Sequence, residues 1–271
     1  MPYRTEYMVK RPEDYEVLKF IAENMHYEPY YYAVEDQIAR LGEDGIVITE
    51  LPYEPMQRLL LQFVGTTGLL RDLFTIKHRV EEVCDILERK YEEELFPLAA
   101  ESPSEVVLYG GNVDSHLVSP SIFERYHLPS YSKCAGTLHA KGKMMAVHMD
   151  GRLSTLSPLI ARSEVDIIDA LTPPPMGDLG ISEALNVWLD KILWVNIPSS
   201  VSTAMGRSPR AVKEYLARQL ELIIPGDRVM IIASTENYVP EDNVAAMAEA
   251  MEQATLPLSR ESINKIRASY S

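Results

Sequence analysis

Six short, nearly all-apolar runs recur along this chain, and no other feature limits its fold as tightly. They are GIVITE (Gly45–Glu50), VVLYG (Val106–Gly110), KMMAVHM (Lys143–Met149), VDIID (Val165–Asp169), KILWVN (Lys191–Asn196) and RVMIIAS (Arg228–Ser234). Runs that are apolar on both faces suit strands of a parallel sheet with helices on either side; a strand with one wet face alternates instead. The intervening segments have helical patterns. SPSIFERYHLPSYSKCAGTLHAKG and SPRAVKEYLARQLELI begin at Ser119–Pro120 and Ser208–Pro209, a capping serine followed by a proline at the first helical position. His139, Lys141 and Gly142 give the first of these a positive last turn and a glycine stop. The first 44 residues, rich in Tyr, Glu and Pro, read as helices.

Strand–helix alternation predicts an α/β fold with right-handed crossovers. The last five runs start roughly 22 to 37 residues apart, a spacing that suits a (β/α)8 TIM-type barrel. Six runs fall short of eight, so either the predicted barrel lacks N-terminal strands or further strands lie outside these runs; residues 1–271 form one domain with a helical segment over 1–44. An open doubly wound sheet is the alternative, although no G-x-G-x-x-G follows any run. A net charge of −14 over 271 residues argues against nucleic acid as a partner, because phosphate contacts need clustered Lys and Arg. No apolar stretch approaches the ~20 residues of a membrane span, and the opening MPYRTEYMVKRPEDY is not a signal peptide. These features predict a soluble cytoplasmic protein. Cys84 and Cys134 are too isolated for a disulfide framework and read as small buried hydrophobes.

In α/β folds ligands bind at the carboxyl ends of the strands, and all six runs deliver polar residues there. The candidates are Tyr53, Asn112, Asp114, His148, Asp150, Asp169, Thr172, Asp178, Asn196 and Glu236. Each Asp or Asn can equally cap a helix or close a turn. His148 differs, because strand periodicity puts it on one side with Asp150, two residues on. With Glu236, these supply three N/O ligands suited to zinc or another divalent metal; without a metal they form a coupled acid–base group. His116, His127 and His139 read as hydrogen-bonded core or rim residues, and Met144, Met145, Met247 and Met251 as core filler. In LTPPPMGD the prolines stiffen a loop and Gly177 permits close backbone approach.

The block SPSIFERYHLPSYSKCAGTLHAKGKMMAVHMDGRL resembles the uroporphyrinogen decarboxylase superfamily: Ser-Pro, Phe, Leu-Pro, a helix ending His-x-Lys-Gly-Lys, and a strand ending His-x-x-Gly. DIIDALTPPPMGDLGISEA, WVNIPSS and PEDNVAAMAEAM are similar to later parts of that superfamily, so the likeness runs from roughly Gly45 to Met251. It implies a (β/α)8 barrel and one of two activities. The decarboxylases' N-terminal Arg-rich strand and Phe-Ser-Asp motif have no counterpart here. The cobalamin-dependent methyltransferases hold zinc with a His-x-Cys pair and a later cysteine. His148 matches that histidine, Asp150 stands at the first cysteine position, and Glu236 is the substitute for the second. Carboxylates in place of thiolates make a harder site that favours an oxygen substrate over a thiol. The resemblance thus implies a corrinoid-linked methyltransferase, with catalytic and metal-binding roles for His148, Asp150 and Glu236. Tyr53, Asn112, Asp114, Asp169, Thr172, Asp178 and Asn196 would contact a small-molecule methyl donor or acceptor. The corrinoid is expected on a partner protein, and an apolar seam left by missing strands is expected to make a homodimer. The alternatives are uroporphyrinogen decarboxylation, a metal-free decarboxylase of a small acid, and a non-catalytic barrel that binds a ligand or partner.

Overall fold

Each of the six apolar runs forms a strand in the computed structural model, which describes residues 6–203, 208–233 and 238–269. The strands are β1 (Ile48–Glu50), β2 (Val106–Gly111), β3 (Met144–His148), β4 (Ile167–Leu171), β5 (Ile192–Asn196) and β6 (Val229–Ile232). They follow one another in chain order in a six-stranded sheet. Parallel pairs set Ile48 opposite Val106, Ile167 opposite Ile192 and Leu193 opposite Val229. Among the described residues β6 does not pair back to β1, so the sheet is open. The predicted α/β class and parallel sheet are present; closure into eight strands is not seen among these residues. Burial explains why the runs were so uniformly apolar. Val106, Val107, Tyr109, Met145, Ala146, Val147, Leu193 and Val195 are buried, whereas the outer strands β1 and β6 contain no buried residue.

The chain divides into two compact units. The first runs to Gly111 and adds Leu117–Val147 and Arg162–Val165. Its helices are α1 (Asp14–Asn24), α2 (Tyr31–Leu41), α3 (Pro55–Arg58), α4 (Thr66–Thr75), α5 (Lys77–Lys90), α6 (Phe96–Ala100), α7 (Pro120–Ile122) and α8 (Leu128–His139). Tyr15 and Leu18 of α1 pack in one core with Leu59, Val80, Val83 and Leu87. Glu82 and Asp85 are exposed on the opposite face of α5. Three π-helical segments, Leu59–Phe63, Tyr91–Leu95 and Phe123–His127, interrupt the helices. Such widened turns re-aim side chains and recur at functional sites. The Ser119 hydroxyl accepts from the Ile122 N–H at 3.3 Å, as the capping reading requires, and Gly142 stops α8 at φ +70°. Cys84 and Cys134 are buried free thiols, and burial pushes both well above the ordinary thiol range.

The second unit comprises Asn112–His116, His148–Ala161 and the chain from Asp166 on. It carries α9 (Ser157–Ala161), α10 (Ile181–Val187), α11 (Ser199–Ser202), α12 (Pro209–Glu221), α13 (Glu241–Gln253) and α14 (Arg260–Ala268). Ser208 caps α12 through the Ala211 N–H at 3.3 Å. Val212, Leu216 and Leu220 on α12 are buried, as are Ala246, Met247 and Ala250 on α13 and Ile263 and Ile266 on α14. Met247 is therefore core filler, as its spacing suggested. No helix among the described residues is long and apolar enough to cross a membrane.

Candidate functional site

The second unit holds the polar group that the strand ends assemble. His148 is the last residue of β3, and the strand hydrogen bonding continues one step further, with the Met149 N–H donating to the Asp169 carbonyl at 2.8 Å. Strand alternation then returns Asp150 to the side of His148, with Asp150 Oδ2 3.6 Å from Nε2. The other ring nitrogen, Nδ1, lies 2.7 Å from Asp169 Oδ2. The imidazole is thus held between two carboxylates. Asp169 is the more sheltered of them, at 14% side-chain exposure against 44% for Asp150.

Asp169 reaches the imidazole because β4 is irregular. The register with β5 shifts between Ile168 and Leu171, and Ala170 adopts φ +63°, a left-handed conformation that costs a non-glycine residue energy. Three contacts hold the kink. Thr172 Oγ1 donates to the Ala170 carbonyl at 3.0 Å, and Asn196 Nδ2 reaches that carbonyl at 3.4 Å and Thr172 Oγ1 at 3.5 Å. Thr172 and Asn196 therefore position Asp169. Strain that neighbours over-determine in this way concentrates at functional sites.

Asp114 and Asp178 hold backbone. Asp114 Oδ1 accepts from the His116 N–H at 2.7 Å and Oδ2 from the Arg152 N–H at 3.3 Å, and a Cβ on Gly151 would lie 2.4 Å from the Asp114 Cβ. Asp178 Oδ1 accepts from the N–H groups of Leu153 and Ser154 at 2.7 and 3.1 Å. Burial acts to raise the Asp178 carboxyl, but these hydrogen bonds outweigh it and hold the group below the usual carboxylate range. Gly177 makes the close approach expected of it, since a Cβ there would meet the Thr172 carbonyl oxygen at 1.9 Å. Asn112 follows β2 with φ +53°. Tyr53 belongs to the first unit, where its carbonyl accepts from Tyr91 Oη at 3.0 Å. Glu236 lies outside the described residues. Among the described residues no group of three or more His, Cys, Asp or Glu is arranged to hold a metal ion.

His127 is the hydrogen-bonded core residue that the sequence suggested, but sequence reasoning passed over its partner in the first unit, Glu54. His127 and Glu54 have no solvent exposure, and Nδ1 lies 2.5 Å from Oε1. Tyr131 Oη donates to the same oxygen at 2.9 Å, and Phe123 stacks on the imidazole at 5.5 Å. Glu54 stands between prolines immediately before α3. Such an acid reads as a solvated charge near a helix N-terminus, and only the π-helical segment that turns His127 inward contradicts that reading.

The electrostatics of the His148 group predict a pH dependence. Burial acts against the charged imidazole, but hydrogen bonds and charge from Asp150 and Asp169 outweigh it and push the pKa up to about 10. In return, the hydrogen bond from His148 holds Asp150 below the usual range against its own burial. The raised histidine contributes stability that is complete below its unfolded value near 6.5 and is lost as pH rises through about 10. The urea midpoint of the wild type should exceed that of His148→Gln at pH 6 by an amount equivalent to about 1–2 kcal/mol, discounted for partial exposure. That gap should close between pH 6.5 and about 10. A gap unchanged across this range would contradict the ion-paired assignment.

No protein-family model matches the sequence, and no curated protein does. Among solved structures, the chain is similar to a methyltransferase from Methanosarcina mazei, with a TM-score of 0.62 at 15% identity. The match covers 82% of this chain and 62% of that one. At this identity the likeness establishes a shared fold: the α/β architecture of this chain is one that a methyltransferase also adopts.

Proposed function

We propose that the chain is a methyltransferase-like enzyme of the uroporphyrinogen decarboxylase superfamily, acting in the cytoplasm with His148 at its reacting centre. The observation that carries this reading is the imidazole of His148 fixed through Nδ1 by Asp169, with Asp150 beside Nε2, at the carboxyl ends of neighbouring strands. The fold likeness and the His-x-x-Gly strand end support it.

Two of the three donors proposed for zinc or another divalent metal, His148 and Asp150, lie side by side. A carboxylate on Nδ1 orients the ring, as in carboxylate–histidine–zinc triads, and an ion binding at Nε2 would displace the proton that Nε2 now shares with Asp150. The 3.6 Å from Nε2 to Asp150 Oδ2 is near the ~3.4 Å expected of two ligands at about 2.1 Å from one tetrahedral ion. His148, Asp150 and Glu236 would hold the ion, and Asp169 orients the imidazole. When bound, the ion supplies Lewis acidity toward an oxygen of the methyl donor or acceptor. A corrinoid would come on a partner protein.

The same clamp favours a second reading. An imidazole between two carboxylates also suits a persistent imidazolium, which would steady the negative charge of a small acid losing carbon dioxide without any metal.

Elemental analysis separates the two readings. The methyltransferase reading expects about one zinc or comparable ion per chain in the wild type and a loss of at least 90% of it in His148→Ala. It also expects methyl transfer to added cobalamin to fall at least 100-fold in that variant. Wild-type protein without metal, inactive in methyl transfer with and without added zinc, would reject it in favour of the second reading.

A further inference from the structure

Arg58, the last residue of α3, is a half-buried cation surrounded only by neutral groups. Its Nη1 donates to Tyr91 Oη at 2.9 Å, to Tyr27 Oη at 3.1 Å and to Met25 Sδ at 3.5 Å. Its Nε donates to Gln62 Oε1 at 3.3 Å, and the guanidinium carbon sits 5.2 Å from the centre of the Phe63 ring. No carboxylate pairs with it among the described residues. Nη2 makes no hydrogen bond there either, and it is not sealed from solvent.

The contrast with Arg228 shows why this is unusual. Among the described residues Arg228 also lacks a carboxylate, yet it donates to the carbonyls of Leu185, Trp188 and Lys191 at 2.8–3.3 Å. Two of these belong to the C-terminal end of α10, where the helix dipole places partial negative charge. Arg58 has no such compensation. Phenol and amide oxygens satisfy individual N–H groups, but they leave the net charge of a partly desolvated guanidinium unneutralised. The orientation is nonetheless fixed. Tyr91 Oη, which accepts from Nη1, donates onward to the Tyr53 carbonyl, and the guanidinium carbon lies over the Phe63 ring. Two π-helical segments build the setting, since Phe63 and Tyr91 lie in Leu59–Phe63 and Tyr91–Leu95. A cation pre-ordered on three sides, with one nitrogen left open to solvent, is arranged to receive an anion with little further ordering.

We propose that Arg58 anchors the carboxylate of a small-molecule ligand through Nη2. The chemistry favours a carboxylate over a phosphate. One open nitrogen on a single positive charge matches a monoanionic group, and the side chains touching Arg58 include no second cation for a dianion. This assignment does not depend on the methyl-transfer reading.

The test is a titration of the whole chain with propionate, and separately with inorganic phosphate, against chloride at matched ionic strength. Side-chain ¹⁵N–¹H signals of arginine provide the first readout and calorimetry the second. The expected result is saturable propionate binding that moves the Arg58 signals and is weakened at least tenfold in Arg58→Gln. Circular dichroism checks that the variant folds, and if it does not, Arg58→Lys takes its place and should also weaken binding. No saturable binding to the wild type, equal binding to the variant, or phosphate binding as tightly as propionate would each overturn the proposal.

Discussion

On the proposed methyl-transfer reading, Asp169→Asn should lower turnover about 10–100-fold while leaving the chain folded, the loss found when a carboxylate supporting a metal-binding histidine is removed. The amide can still hydrogen-bond to Nδ1, so the ring keeps its place; what disappears is the negative charge that selects the Nδ1–H tautomer and raises the basicity of Nε2. A second readout follows from the same geometry. With Asp150 as the only remaining carboxylate partner, the His148 pKa should fall from about 10 toward its ordinary 6.5, measurable by imidazole NMR. An unchanged pKa would mean that Asp169 is not the charge felt by the ring. Unchanged turnover beside a lowered pKa would place the chemistry elsewhere. Asp150→Asn should also lower the pKa, because Asp150 heads the interactions that raise it. Its greater exposure allows water to replace part of its role.

The six strands were legible because a parallel strand buried on both faces must be a continuous apolar run, and the capping serines were legible because Ser-Pro carries its own local chemistry. The His148–Asp150 juxtaposition was readable as well, being only a statement of strand period. The role of Asp169 was not. Its run was predicted to end at Asp169, so the acid was placed at the rim facing a ligand; β4 in fact spans Ile167–Leu171, and Asp169 sits mid-strand beside β3. Contact between residues 21 apart depends on which strands are neighbours and on the kink at Ala170. An alanine at φ +63° is a conformation that tertiary contacts impose, and no local sequence signal announces it. Asp114 and Asp178 show the converse. An acid after a strand has no local mark that separates a substrate contact from a brace for backbone N–H groups, and here both accept from backbone. The neutral setting of Arg58 was hidden for a further reason: Tyr27, Phe63 and Tyr91 converge on it from separate elements of the first unit.

Glu54→Ala should destabilise the protein by about 3–5 kcal/mol, the scale of opening a cavity in the core while leaving buried hydrogen-bonding groups without partners. Three effects combine. His127 Nδ1 loses the oxygen 2.5 Å away, Tyr131 Oη loses the acceptor at 2.9 Å, and a space opens where neither residue can reach water. The site is already near the limit of what burial tolerates. Glu54 Oε2 and His127 Nε2 are buried without a hydrogen-bond partner among the described residues, and a Cβ on Gly110 would come within 2.0 Å of that oxygen. Gly110 also adopts φ +76°, so alanine there is strained before it meets the carboxylate. Glu54→Gln keeps the shape and one acceptor for both donors, so it should cost only about 1–2 kcal/mol, the penalty of burying an amide N–H₂ where Oε2 now lies. Urea denaturation of the two variants against the wild type at pH 7 measures both quantities. Equal costs for alanine and glutamine would show that the negative charge carries the interaction; a glutamine cost near zero would show that shape and a single acceptor suffice. A cost below about 1 kcal/mol for alanine would mean that the pocket relaxes or hydrates on truncation, and the rigid buried pair described above would then be the wrong account of this part of the fold.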